Sequence, residues 1–552
     1  MIKSIKKYVS ITIFCFAGSA FTPLSLYCAD DLDAFFNDEE IDYFAEHTNF
    51  NATKANNPAE PAAALVDLGI LSILQEELFL HTNPLVTRSL LDYPIFLPQR
   101  LYERPWTFGA HLFYNQTTRA VFDDNSTAIC SYLAIQSPTL LTKLDSIATT
   151  LLPNELTLTP SNLASLFKNG TINERRTGFM FHMQHQSDRM RFRSMTPVYY
   201  FERNFFLTEP EQLAIEKALG KASEDEVELF AKNHLICDKI GVGDTRLNVD
   251  GIVYESEHAQ VRLGALTTLP TAFTIGRAFL GSTFKKVEKR PILDIETLYY
   301  QAKGNQAQKD QAQDTIKTFA LGVLDNLAAN LLESELGNNK HIGIGGYYES
   351  KMALQKFIKL PWARNFTIRS RASLEYLLPK TEKRWFVECN DQILYDNLNL
   401  NRSTEAISTD IENDPVYAQA VLNFIQDQIV DILYPFTFKA FVHPGIILRS
   451  TSKLMYEVPS WGFFIGSDFW LASSEKLNNI KVIPAGPDRP PNINVEKARK
   501  KLAYESKIFG GAFWKVKRHN HEWLLSLNAD GSSFGSGIGS NFTLSFNVEL
   551  NF

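Results

Sequence analysis

The last twelve residues, Asn541 to Phe552, alternate without a break. Phe542, Leu544, Phe546, Val548, Leu550 and Phe552 take one side, and Asn541, Thr543, Ser545, Asn547, Glu549 and Asn551 take the other. A period of two belongs to an extended strand, whose successive side chains point to opposite faces. Such a strand needs two different surroundings. Either its apolar face covers a core and its polar face meets water, as in a soluble sheet, or the apolar face meets lipid and the polar face a wet interior, as in a membrane barrel.

The amino terminus favours export. Lys3, Lys6 and Lys7 precede an apolar run from Tyr8 to Phe21, and small or apolar residues lead on to Ala29, so residues 1–29 read as a secretory signal. Leu26 and Tyr27 before Cys28 are too bulky for a lipoprotein signal. Past the leader no stretch reaches the roughly 20 apolar residues that a spanning helix needs. The nearest, Phe319 to Leu332, is broken by Asp325 and Asn326. An exported chain of this kind is a soluble β-rich binding protein, a protein anchored by its leader, or a barrel. The net charge of −7, with both signs mixed, gives no footprint for nucleic acid. Cys130, Cys237 and Cys389 lack metal or redox spacing, and neither a metal nor a cofactor is expected.

Residues 30–104 are acidic and then rich in Ala, Asn and Pro, with a helically spaced patch from Ala62 to Leu80. From residue 105 to 552 short alternating segments dominate, among them Trp106–Gln116, Ala128–Gln136, Thr177–Gln186, Met190–Tyr200, Asn365–Leu378, Phe441–Val458 and Trp461–Ala472. Helical spacing marks inserts near 209–234, 307–336 and 414–433, and the prolines between Ile480 and Asn494 mark a loop. The fold expected is all-β: an antiparallel transmembrane β-barrel of about 12–14 strands with helical inserts. Trp106, Trp461, Trp470, Trp514 and Trp523 stand near strand ends, where amphipathic rings suit the membrane interfaces.

An exported chain ending in Phe552, with apolar residues at alternate positions before it, resembles the carboxy-terminal signal of bacterial outer-membrane barrel proteins. The resemblance implies an outer-membrane location, lipid around the barrel, and recognition of Phe542, Leu544, Phe546, Val548, Leu550 and Phe552 by the barrel-assembly machinery. A medium-sized barrel preceded by a long amino-terminal segment is similar to the long-chain fatty-acid channels, which implies that residues 30–104 act as a plug.

Two patterns carry candidate chemistry. Arg189, Arg191 and Arg193 alternate with Met190, Phe192 and Ser194, and Arg369 and Arg371 lie on the side opposite Ile368, Leu374 and Tyr376. Lining a lumen, these arginines concentrate anions; the other reading pairs them with carboxylates such as Glu202 or Glu375. His185 and Ser187 share a face with Phe179, Phe181 and Met183, and resemble the His-x-Ser element of outer-membrane phospholipases and lipid A deacylases. That implies a His-activated Ser hydroxyl acting on lipid. Asp188 and Arg189 replace the Asn and Gly that follow in that element, Tyr199 stands near the place of the orienting residue, and Glu202 and Asn204 lie further on. The bland alternative is a hairpin turn over Gln186 to Asp188. His519 and His521 read as solvated, and Gly241-Val-Gly243 lacks phosphate-loop spacing. The function expected is passage of small or apolar solutes through an outer-membrane channel, with lipid hydrolysis by His185 and Ser187 as the alternative.

Overall fold

The computed structural model describes residues 57–71, 84–97, 105–119, 171–206, 224–277, 293–356, 358, 360–387, 392–434, 436–481, 493–518 and 521–551. The chain divides into two compact units, Met1–Asn57 and Pro58–Phe552, and all described residues but Asn57 belong to the second.

Among the described residues seventeen strands follow in order. They are β1 (Trp106–Arg119), β2 (Thr171–Gln186), β3 (Met190–Phe206), β4 (Ile236–Val242), β5 (Thr245–Ser256), β6 (Ala259–Leu269), β7 (Phe273–Arg277), β8 (Gly343–Ala353) and β9 (Phe366–Leu377). After these come β10 (Lys380–Phe386), β11 (Phe436–His443), β12 (Gly445–Glu457), β13 (Trp461–Ala472), β14 (Lys476–Lys481), β15 (Ala503–Arg518), β16 (His521–Ser536) and β17 (Ser540–Asn551). Twelve of them, β1-β2-β3-β5-β6-β8-β9-β12-β13-β15-β16-β17, form a closed antiparallel barrel. The ring is shut by β1 against β17, with Thr107 opposite Asn551 and Gln116 opposite Phe542.

β3 is shared between two partners. Its Met190–Met195 half pairs with β5 and its Val198–Asn204 half with β4, which in turn carries β7. Pro197 stands at the split, and its carbonyl accepts the Gly243 N–H at 2.8 Å. β10, β11 and β14 form a separate sheet over a core of Phe386, Phe436, Phe438 and Val442. The expected strand from Phe441 to Val458 is thus two strands, β11 and β12, divided at Pro444. A proline has no N–H to give a ladder.

The faces of the barrel reverse those of a soluble protein. On β17, Asn541, Thr543, Ser545, Asn547, Glu549 and Asn551 are buried, while Leu544 and Phe546 are exposed. The same inversion repeats around the ring, with Leu112, Phe179, Phe181, Leu263, Ile344, Leu374, Leu448, Ile465, Ile508 and Leu527 exposed on the outer wall. An apolar belt of this extent has no place in water. The chain is a membrane-spanning β-barrel, and the soluble alternative falls.

One end of the barrel has tight connections, residues 187–189, 257–258 and 458–460, and Trp106 and Asn551 lie at that end. Aromatic rings collect there on the outer wall: Trp106 beside Phe108, Trp461 beside Tyr456 and Phe463, and Trp461 opposite Trp514. Trp470 corrects the expectation that all five tryptophans sit at an interface, because it points inward and is buried.

Longer segments at the opposite end carry helices. In chain order the helices are α1 (Ala59–Asp67), α2 (Glu224–His234), α3 (Ile295–Lys303), α4 (Gln306–Leu332), α5 (Gln392–Asn397), α6 (Thr404–Asn413) and α7 (Pro415–Leu433). Local chemistry explains their starts. Asn305 and Gln308 form a capping box on α4, Ser403 caps α6, and Asp414 caps α7 ahead of Pro415. α1, α6 and α7 bury Ala62, Leu65, Val66, Ile407, Ile411, Val421 and Ile425 against one another. The inserts expected near 307–336 and 414–433 are α4 and α7. The first turns of the insert expected from 209, and the strand expected from Ala128 to Gln136, lie outside the described residues.

If the outer wall meets hydrocarbon, Leu527→Arg, at a position 58% exposed in the middle of β16, costs about 2–4 kcal/mol. Urea unfolding of the barrel in lipid vesicles measures this. An unchanged midpoint would mean that this wall does not face lipid.

Candidate functional site

The inner wall encloses residues 84–97, which precede β1 in the chain. Two single 3-10 turns, Leu90–Asp92 and Pro94–Phe96, shape this segment; the Ser89 hydroxyl accepts the Leu91 N–H at 3.4 Å, and Pro94 opens the second turn. Leu90, Leu91, Tyr93, Ile95 and Phe96 are buried among inward residues of the wall: Phe113, Met180, Met195, Tyr199, Phe201, Met455, Phe464, Phe509, Phe513 and Leu524. The Phe96 ring lies 5.2 Å from Phe113 and 5.6 Å from His111.

Two charges fix the segment. The Arg88 guanidinium donates to Glu505 at 3.1 Å and pairs with Asp468. Asp92 pairs with Arg246 at 2.9 Å and Arg449 at 2.6 Å, and accepts from the Trp470 Nε1 at 3.0 Å. Arg246 and Arg449 also share Glu375. The segment's backbone is met in the same way: Arg176 donates to the Arg88 carbonyl at 2.7 Å, Arg246 to that of Leu91 at 2.5 Å, and Arg88 to that of Asp92 at 2.6 Å. Irregular backbone away from water needs such partners, and buried charges need pairing to offset desolvation. The Tyr93 hydroxyl donates to Asn541 at 3.2 Å, and its ring lies 4.2 Å from the Lys507 ammonium, which donates to Asp530 at 2.6 Å.

Nearer the tight-turn end a second layer crosses the lumen. Arg191 pairs with Asp250 and Glu349, both at 2.8 Å, and Arg193 with Glu349 at 3.6 Å. Arg262 pairs with Asp250 at 2.8 Å. Arg371 donates to Asn248 at 3.2 Å and covers the Tyr347 ring at 4.3 Å, and Arg369 is buried on the same strand face. Of the five arginines expected to line a lumen, Arg191, Arg193, Arg369 and Arg371 therefore stand on inward faces. Arg189 does not: it is exposed in the turn between β2 and β3. The carboxylate partners also differ from those expected, since Glu202 lies 3.7 Å from Arg175 and Glu375 holds Arg246 and Arg449. On the same inner wall His111, His182 and Glu549 meet across β1, β2 and β17.

Register separates the residues considered for lipid hydrolysis. His185 stands opposite Phe192, whereas Glu202 and Asn204 stand opposite Arg175 and Asn173 at the far end of the ladder. The His185 ring packs on Trp106 with centroids 4.3 Å apart. Ser187 lies in the turn, where its hydroxyl accepts from the Met190 N–H at 3.3 Å. Of the expected assembly signal, Leu544 and Phe546 are exposed on the outer face, Phe542, Val548 and Leu550 share that face half-buried, and Phe552 lies outside the described residues.

No protein-family model matches the sequence, and no curated protein matches it. Among solved structures the chain is similar in fold to an outer-membrane channel from Pseudomonas putida F1, with 8% identity, TM-score 0.36, and cover of 82% of this chain and 97% of that one. The toluene transporter TbuX of Ralstonia pickettii gives 7% identity and TM-score 0.30 over 82% and 90%. The translocator domain of the autotransporter NalP from Neisseria meningitidis gives 5% and 0.27 over 82% and 90%. At such identities none of these proteins lends this chain a cargo. A closed, even-numbered antiparallel barrel with an apolar outer wall is the form in which bacterial outer-membrane proteins cross their bilayer, and this chain has that form.

Removing one partner of the buried network leaves charge unmet. Asp92→Ala, which leaves Arg246 and Arg449 to share the carboxylate of Glu375, costs about 3–5 kcal/mol. Glu60→Ala, which removes an exposed pair with Lys303, leaves the unfolding midpoint in place. Equal midpoints for the two variants, by urea unfolding, would show that Asp92 is not held as described.

Proposed function

We propose that the protein is an outer-membrane channel for small apolar solutes, closed at rest by residues 84–97. One observation carries this reading: an aqueous pore has a polar inner wall, whereas here Met180, Met195, Met455, Phe464, Phe509, Phe513 and Leu524 point inward and are covered by the apolar side chains of 84–97. With the segment moved aside they form a greasy path. Met and Phe give such a path adaptable contacts, because thioethers and ring faces bind apolar groups without fixed geometry. The arginine layer does not make an open anion filter, since Arg191, Arg193 and Arg262 already hold Asp250 and Glu349.

In planar bilayers the wild type should conduct little, and the double variant Arg88→Gln with Asp92→Asn should open far more often, because both anchors of the segment are weakened together. Cells bearing the wild type should take up a small aromatic hydrocarbon faster than cells without it. Met195→Gln with Met455→Gln, which keeps side-chain length but adds polarity, should cut that uptake several-fold. Wild-type conductance like that of a general porin, or uptake unaffected by the methionine changes, would refute the reading.

A further inference from the structure

We propose that His111, His182 and Glu549 bind a divalent transition-metal ion of the zinc class, which ties the first two strands of the barrel to the last. The site does not depend on the channel reading.

The placement follows from register. Gly109 on β1 stands opposite His182 on β2 and Glu549 on β17, and His111 is two residues along β1 on the same face. Three ligating side chains from three adjacent strands thus converge over one position. Gly109 is what allows it: a Cβ there would lie 2.1 Å from Cε1 of His182, so any other residue would push the imidazole off the strand. The ligating atoms lie within 4.8 Å of one another, and His182 Nε2 is 3.8 Å from Glu549 Oε1.

The chemistry of the group favours a metal. His111 is 0% exposed, His182 3% and Glu549 0%. Both ring nitrogens of both histidines are buried with no hydrogen-bond partner among the described residues. Buried polar atoms left unmet cost stability, and native structures rarely keep several in one place. Two imidazoles and a carboxylate are a recurrent zinc set that leaves a fourth position open, with bonds of about 2.0–2.2 Å. The Asn547 amide donates to Glu549 Oε1 at 2.7 Å and orients the carboxylate, as outer partners of metal ligands do. Phe96 meets the His111 ring edge-on and shields it.

The charge of Arg193 acts on His182, and that of Lys453 interacts with Glu549, so both bear on this volume. They oppose a second cation, and Glu349, 3.6 Å from Arg193, offsets part of that charge. The metal therefore has to be held through its imidazole bonds rather than by a negative field, which favours a zinc-like ion over calcium or magnesium. Its position at the β1–β17 seam gives it a mechanical effect: an ion bound only to the folded barrel stabilises closure.

The test uses the full chain refolded in detergent, free of any histidine tag and stripped with chelator, then titrated with Co2+ while its visible ligand-field bands are followed, and finally with Zn2+. One equivalent of Co2+ should bind, and Zn2+ should displace it and raise the thermal midpoint. His111→Gln and His182→Gln should each weaken binding at least ten-fold and abolish the Zn2+-dependent rise, while migrating as folded barrels on unheated gels. His521→Ala, at an exposed histidine elsewhere, should bind as the wild type does. If the wild type binds no more Co2+ than the double His111→Gln, His182→Gln variant, or if Zn2+ raises both midpoints alike, the site is not there. Should the glutamine variants fail to assemble, Gly109→Ala serves instead, because it displaces only the His182 ring; binding unchanged in that variant would overturn the proposal.

Discussion

Every backbone N–H and C=O in hydrocarbon must find a partner within the protein, because no water is present to take its place. That requirement makes the β1–β17 ladder the interaction on which the rest depends. A strand with one free edge is unsustainable in a bilayer, so the sheet closes. Once it closes, the alternation of side chains acquires a meaning for the whole ring: odd and even positions face two media, and each strand carries that distinction in its own residues. The burial of Asn541, Thr543, Ser545, Asn547, Glu549 and Asn551 follows directly from it.

A ring of this size leaves an interior that side chains from the wall alone do not fill. Here that space is occupied twice over. Residues 84–97 supply apolar bulk against the Met and Phe residues of the wall, and arginines with carboxylates supply paired charge on either side of that bulk. The charge pairs contribute position more than stability. Removing ions from water is costly, and their mutual attraction about repays that cost, but an apolar segment held only by grease could slide, whereas Arg88 and Asp92 each have one place in which their charges are met.

Much of this was legible along the chain, for a reason that also sets its limits. Period-two patterns report which residues share a face, so β17, β3 and β9 could be read from the alternation of Phe with Asn and of Arg with Phe or Ile. Helical spacing likewise gave α4 and α7. Parity could have placed Trp470 as well: it differs by an odd number from Trp461, Phe463 and Ile465 on the same strand, so it had to face inward. What a strand's own pattern lacks is its register against distant strands. Glu202 seemed near His185 in sequence yet lies ten residues along a ladder from it, while His111, His182 and Glu549 come together from opposite ends of the chain. Residues 84–97 carry no period at all. Their role rests on Arg88 and Asp92, whose partners Arg246, Arg449, Asp468 and Glu505 are unremarkable as sequence.

The separation of Arg88 from Glu505, 417 residues, bears on the order of events during biogenesis. Residues 84–97 precede the first strand of the wall, yet the residues that hold them belong to β5, β12, β13 and β15. For most of synthesis and export Arg88 and Asp92 are therefore hydrated and unattached. A finished ring would have to admit them by dragging two charges past Phe464 and Phe509. It is simpler for the wall to be laid down around the waiting segment, so that sealing the seam and pairing its two buried charges become one step.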